Sequence, residues 1–147
     1  VVVARTFSKA YGLAGVRAGF GVAAPGIIAA IERARGPYTL NVIAERAAVA
    51  ALTVDRPWVD ERVREAIAIR DALSDALVSR GWAPLPSRAN FVCVPMPGAA
   101  TVATTLRQRG IRVRAFTALP GVGDALRITV GPWRLMQQLL DALPEAR

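Results

Sequence analysis

The chain opens on an apolar, β-branched run, Val1-Val2-Val3-Ala4. A polar turn follows at once, carrying Thr6, Ser8 and Lys9, and then the small residues Gly12, Gly15 and Gly19. A short β-branched run bounded by turn formers predicts a buried strand. The order of strand, hydroxyls, cation and glycines leaves residues 1–20 few ways to fold, and it sets a basic side chain in the turn. Lys9 is the only lysine among the 19 basic residues; the others are arginines. Arginine stays protonated at any working pH, whereas a desolvated lysine can lose its proton and attack a carbonyl. Lys9 is therefore a candidate Schiff-base nucleophile. Thr6, Ser8 and Arg17 would supply hydroxyls and a forked cation for a phosphate. By type alone a lone lysine in a loop is usually a solvated charge. The combination around it points to chemistry.

A length of 147 residues suits one domain or a large piece of a bigger one. Apolar residues make up 53% and mean hydropathy is +0.33. Such a chain can bury a sizeable core, or expose apolar surface where a covering segment is missing. The absence of an initiator methionine and the start inside a strand suggest a cut segment. The net charge of +8 raises nucleic acid as a partner. The arginines are dispersed, however, aromatics reach only 6%, and no recognition motif stands out, so no nucleic-acid partner is expected. The single cysteine, Cys93, lies in the apolar run 90–94 and reads as a buried structural thiol. One cysteine fits a reducing compartment, and with no signal peptide visible the expected location is cytoplasmic. With no histidine, His-based triads and metal sites are excluded from this sequence. No metal site and no membrane span are expected.

The remaining pattern alternates, and it predicts an α/β fold. A short strand is expected over 18–23. A helix follows with Pro25 in its first turn and a stop at Gly36-Pro37. Residues 38–41 form a loop, and an alanine-rich helix covers 42–52. A long helix spans 58–80, with Val59, Val63, Ile67, Leu73 and Leu77 at helical spacing. Glu61, Arg62, Arg64, Glu65 and Arg70 fall on its solvated faces, and Gly81 ends it. Then come a strand over 89–95, a helix over 99–109 and a strand over 111–116. A further strand over 125–130 and a helix over 133–143 complete a small layer with helices on one face of a short sheet. On the strand 111–116, Arg112, Arg114 and Phe116 share one side.

The segment Leu126-Arg127-Ile128-Thr129-Val130-Gly131 sets one arginine in an apolar strand. A charge there needs a partner, because burying it alone costs several kcal/mol. A buried ion pair or an edge strand facing water would satisfy it. So would a bidentate clamp on a substrate carboxylate.

The stretch Thr6-Phe7-Ser8-Lys9-Ala10-Tyr11-Gly12-Leu13-Ala14-Gly15-Val16-Arg17-Ala18-Gly19-Phe20 resembles the lysine segment of fold-type I, pyridoxal-phosphate-dependent aminotransferases, most closely the histidinol-phosphate aminotransferase group. The resemblance implies that Lys9 forms the Schiff base with pyridoxal 5'-phosphate, and that Arg17, Ser8 and, less directly, Thr6 bind the cofactor phosphate. The segment 126–131 is similar to the family motif whose arginine holds the substrate α-carboxylate, which gives Arg127 that role. Arg114 matches a second family arginine near the substrate's distal anionic group. Tyr38 and Asn41 match a loop that passes close to the active site. By the same resemblance, residues 1–54 end a large cofactor-binding domain, and 55–147 form a linking helix and a small C-terminal α/β domain. The implied substrates are an amino acid or histidinol phosphate and a 2-oxo acid such as 2-oxoglutarate, in a homodimer serving histidine biosynthesis. The family's ring-nitrogen aspartate, stacking aromatic and phosphate loop lie upstream of the lysine and are not in this sequence. The chain alone is therefore expected to be inactive. Two other readings stand beside this one: a threonine-phosphate decarboxylase, which shares the lysine motif, and a noncatalytic basic α/β binding fragment in which Lys9 is incidental.

Overall fold

A computed structural model describes residues 1–37 and 39–146. The chain divides into two compact units, 1–63 and 64–147. The first holds β1 (Val2–Thr6), a 3-10 turn (Ala14–Val16), β2 (Gly19–Ala23), α1 (Pro25–Ala34), α2 (Val42–Leu52) and the start of α3 (Arg56–Ser79). β1 and β2 pair antiparallel, from Val2 opposite Ala23 to Thr6 opposite Gly19. Pro25 opens α1, as its fixed φ and missing N–H favour. Asn41 caps α2: its Oδ1 accepts from the Ala44 N–H at 2.8 Å. The helix boundaries in this unit lie close to those expected. The burial of the opening strand does not. β1 is exposed along its whole length, with Val2 and Val3 at 50% and 45%. A β-branched run is the pattern of a strand covered on both faces. Here β1 has one hydrogen-bonded neighbour, β2, and its side chains stay in solvent.

The second unit holds most of α3, then β3 (Phe91–Pro95), α4 (Ala99–Gln108), β4 (Arg114–Leu119), β5 (Gly123–Thr129) and α5 (Trp133–Ala142). Its three strands are antiparallel in the order β3-β5-β4. Val92 faces Ile128 and Val94 faces Leu126 across the ladder, and all four are buried. They meet Leu73 and Leu77 of α3, Leu106 of α4 and Met136, Leu139 and Leu140 of α5 in one core. The helices thus cover one face of the sheet, as the alternation requires. The face carrying Phe91, Cys93, Arg114, Phe116, Arg127 and Thr129 is the other one.

Three local expectations change. The strand expected from 111 begins at Arg114, because the Ile111 N–H closes α4 instead. It donates to the Leu106 carbonyl at 2.9 Å, while Gly110 N–H donates to Arg107 at 3.0 Å. That double bond past a left-handed glycine is a standard helix stop, and Gly81 ends α3 in the same way. Arg70, expected on a solvated face, is 8% exposed and donates to Asp71 through Nε and Nη2 at 3.0 and 2.8 Å. Cys93 is half-buried rather than buried. Among the described residues, no helix is long and apolar enough to cross a membrane.

Candidate active site

In the first unit, loop 7–18 between β1 and β2 carries Ser8, Lys9 and Arg17, and Thr6 stands at its entrance. Its base is closed by the Phe7 N–H, which donates to the Ala18 carbonyl at 3.2 Å. Phe7 is buried beside Ala18 and Ala44 and packs its ring against Tyr11 and Phe20, at 4.9 and 5.7 Å between centroids. Inside the loop, Gly12 N–H donates to the Lys9 carbonyl and Leu13 N–H to the Phe7 carbonyl, both at 2.9 Å. The loop is therefore folded on its own aromatic anchor, with Lys9 exposed on it.

Each polar group of the loop keeps donors in hand. Thr6 Oγ1 accepts from the Ser8 N–H at 3.0 Å, so its own hydroxyl proton remains to be donated. Arg17 uses Nη1 on the Ala14 carbonyl at 3.1 Å, and the rest of its fork makes no ion pair among the described residues. Arg17 also holds a left-handed backbone, φ 57° and ψ 47°, where a non-glycine residue is uncommon and strained. Tyr38, the other loop residue singled out in the sequence, lies outside the described residues. Asn41 spends its side-chain oxygen on the α2 cap.

In the second unit, Arg127 stands on the central strand, β5, with Cys93 of β3 and Arg114 of β4 directly opposite. Neither expected escape for its charge is realised: β5 is not an edge strand, and among the described residues no carboxylate pairs with Arg127. Its Nε is buried with no hydrogen-bond partner there. Leaving a buried donor unpaired costs roughly 1–3 kcal/mol, and more for a charged group. Two like charges directly opposite on one face are unfavourable as well. What holds the cations is aromatic: the Arg127 Cζ lies 4.3 Å from the Phe91 ring centroid, and the Arg114 Cζ lies 5.0 Å from that of Phe116. Two adjacent guanidiniums with donors to spare form a receptor for an anion with several oxygens.

Sequence reasoning found both arginines but not their pairing, nor Phe91. Phe116 was traceable, two residues from Arg114 on one strand face. The stack of Phe91 on Arg127 depends on the β3–β5 register, which no local pattern encodes.

The aminotransferase class I and II family model matches residues 1–143. A histidinol-phosphate aminotransferase from Syntrophus aciditrophicus (strain SB) is 38% identical over 148 residues, covering 97% of this chain and 40% of that protein. The histidinol-phosphate aminotransferase of Sinorhizobium meliloti, solved in complex with pyridoxal-5'-phosphate, superposes with a TM-score of 0.83 at 35% identity, over 99% of this chain and 40% of that one. The L-threonine-O-3-phosphate decarboxylase of Porphyromonas gingivalis shares the fold, with a TM-score of 0.81 at 22% identity, over 96% of this chain and 45% of that one. The chain thus spans about 40% of the length of the curated relatives it matches.

Proposed function

The chain belongs to the class I and II aminotransferases, and on that footing we propose that it carries the lysine loop and the substrate-anion site of a pyridoxal-phosphate-dependent enzyme that moves amino groups between an amino donor and a 2-oxo acid. Residues 1–54 would end the cofactor-binding domain of that enzyme, and 55–147 would form its linking helix and small domain. The α/β architecture with two units accommodates this reading. A homodimer is part of the proposal.

The donor set fits the cofactor. A lysine amine, two hydroxyls and a guanidinium on one anchored loop suit a ligand with an aldehyde and a phosphate. An arginine standing in a strained conformation that glycine would adopt freely supports a use for its side chain. When bound, pyridoxal phosphate supplies a carbonyl that takes the amino group and a ring that draws electrons from the substrate α-carbon. Lys9 would hold the cofactor through its amine, and with substrate bound the same nitrogen would take the proton from the substrate α-carbon and later return one. Ser8, Thr6 and Arg17 hold the phosphate through charge-assisted hydrogen bonds. Arg127 fixes a carboxylate or phosphate of the substrate, and Arg114 offers a second cation beside it.

The observation that carries the substrate side is the buried, unpaired Nε of Arg127 opposite Arg114. A guanidinium held on a sheet face with no carboxylate beside it among the described residues keeps its charge for an anionic ligand. The test is chemical trapping. Borohydride reduction of the cofactor-loaded, intact enzyme should leave the adduct on the peptide containing Lys9, and Lys9→Ala should lower turnover by roughly 10²- to 10⁴-fold. An adduct on another residue would reject the assignment. Carbon dioxide release in place of amino exchange would favour the decarboxylase.

A further inference from the structure

We propose that Phe91 is a positioning residue for substrate binding, acting through Arg127; this rests on the anion-binding reading of Arg127. The Phe91 ring lies on the face of the sheet turned away from the core, half-buried, while its neighbours Val92 and Val94 fill the core completely. It pairs in register with Thr129, one diagonal step from Arg127, within reach of an aromatic and a long side chain. The 4.3 Å separation of Cζ and ring centroid is a cation–π contact. A guanidinium is flat and weakly hydrated above and below its plane, and its N–H groups all point outward within that plane. A ring below Cζ holds the cation without bringing an acceptor oxygen to its donors. It restricts the swing of a long, flexible side chain and leaves the terminal Nη1 and Nη2 donors, rather than the buried Nε, for an anion.

An ion pair would do this work badly. A carboxylate at Arg127 would fix the side chain but occupy the donors and cancel the charge that the substrate needs. An aromatic face fixes it and leaves both. This accounts for two otherwise separate facts: the central-strand arginine has no acidic partner among the described residues, and its Nε stays unpaired. Phe91 makes no contact with the substrate in this scheme. Its effect is on how much ordering of Arg127 the substrate must supply on binding.

The experiment compares Phe91→Leu, Phe91→Tyr and Arg127→Ala in the holoenzyme. It reads steady-state constants for the amino donor together with spectral titration by a simple dicarboxylate competitor. Phe91→Leu should raise KM and the competitor's Kd by roughly 3- to 30-fold with kcat little changed, because the ordering of Arg127 that serves ground and transition states equally is lost. Phe91→Tyr, which keeps the ring, should bind both ligands as the parent does. Equal damage from Phe91→Leu and Phe91→Tyr would overturn the proposal, since the ring face would then not be the cause. Arg127→Ala weakening both ligands while Phe91→Leu does not would also overturn it and leave the anion site standing. Neutral behaviour of Arg127→Ala would remove the anion site itself, and the role of Phe91 with it.

Discussion

Arg17 couples backbone strain to a proposed ligand contact in one residue. Its left-handed φ of 57° is a conformation that disfavours a side chain by roughly 1–2 kcal/mol. Glycine would adopt it freely, at a cost of roughly 0.5–1 kcal/mol in the unfolded chain's entropy. Arg17→Gly should therefore leave the stability of the cofactor-free protein unchanged or raise it by up to about 1 kcal/mol. The same change should weaken cofactor binding by about tenfold or more, because a hydrogen bond to a charged phosphate is lost. Thermal melts without cofactor and absorbance titration with it separate the two effects. A clear loss of cofactor-free stability would show that the Nη1 bond to the Ala14 carbonyl holds the loop, and the phosphate role would lose its support. Residue types of this kind are legible in a sequence: Lys9 stands out by its solitude, and Arg127 by its apolar setting. Their surroundings are not. The sequence offered Arg127 an edge, an ion pair or a substrate carboxylate, and gave no sign of the ring that the fold sets beside it.

At the level of elements, turn chemistry and periodicity located nearly every helix and strand, since those signals are local. The misreadings arise where burial depends on what covers an element, or where a helix end claims the residues that follow it. Val2 and Val3 have the composition of an interior strand, yet burial depends on what covers a strand, not on its own residues. Ile111 has the composition of a strand residue, but its N–H is spent on the end of α4. The β1–β2 hairpin that presents loop 7–18 has its own weak point at Gly19. A Cβ there would lie 2.7 Å from the backbone oxygen of Arg5, an atom that cannot move without shifting the strand pair. Gly19→Ala should destabilise the intact enzyme by about 1–3 kcal/mol through this overpacking and loosen the cofactor along with the hairpin. Gly15→Ala, with nothing within 4 Å of the added methyl and no positive φ, is the control and should be neutral or slightly stabilising. Urea midpoints at constant m-value decide it. Equal midpoints for the two variants would mean that the hairpin yields where the geometry says it cannot.

Across the whole molecule, the two units differ in how well each can stand alone. Residues 64–147 enclose a continuous core drawn from three helices and three strands, with Leu73, Leu77, Val92, Val94, Leu106 and Leu126 fully buried. Among the described residues, 1–63 gather Phe7, Ala18 and Ala44 into a small buried cluster flanked by Tyr11, Leu13, Val16 and Ala48, and leave Val22, Val42, Ile43, Val54 and Trp58 more than half exposed. A body of that size is marginal even with a full core, because a short chain buries a smaller fraction of its surface. Apolar exposure on this scale favours local opening and self-association. The 147-residue chain on its own should therefore show early protease cuts within 1–63, a persistent product from 64–147, and no measurable amino transfer. Transfer is expected to be absent for two reasons: the family's ring-nitrogen aspartate, stacking aromatic and phosphate loop are not in this sequence, and the lysine loop is anchored through Phe7 in the more weakly packed unit. Native-state hydrogen exchange provides the finer measurement, with slow amides in β3, β5 and α5 and fast ones in β1 and β2. Uniform protection across both units, or turnover by the isolated chain, would mean that the small cluster around Phe7 holds the lysine loop without further cover.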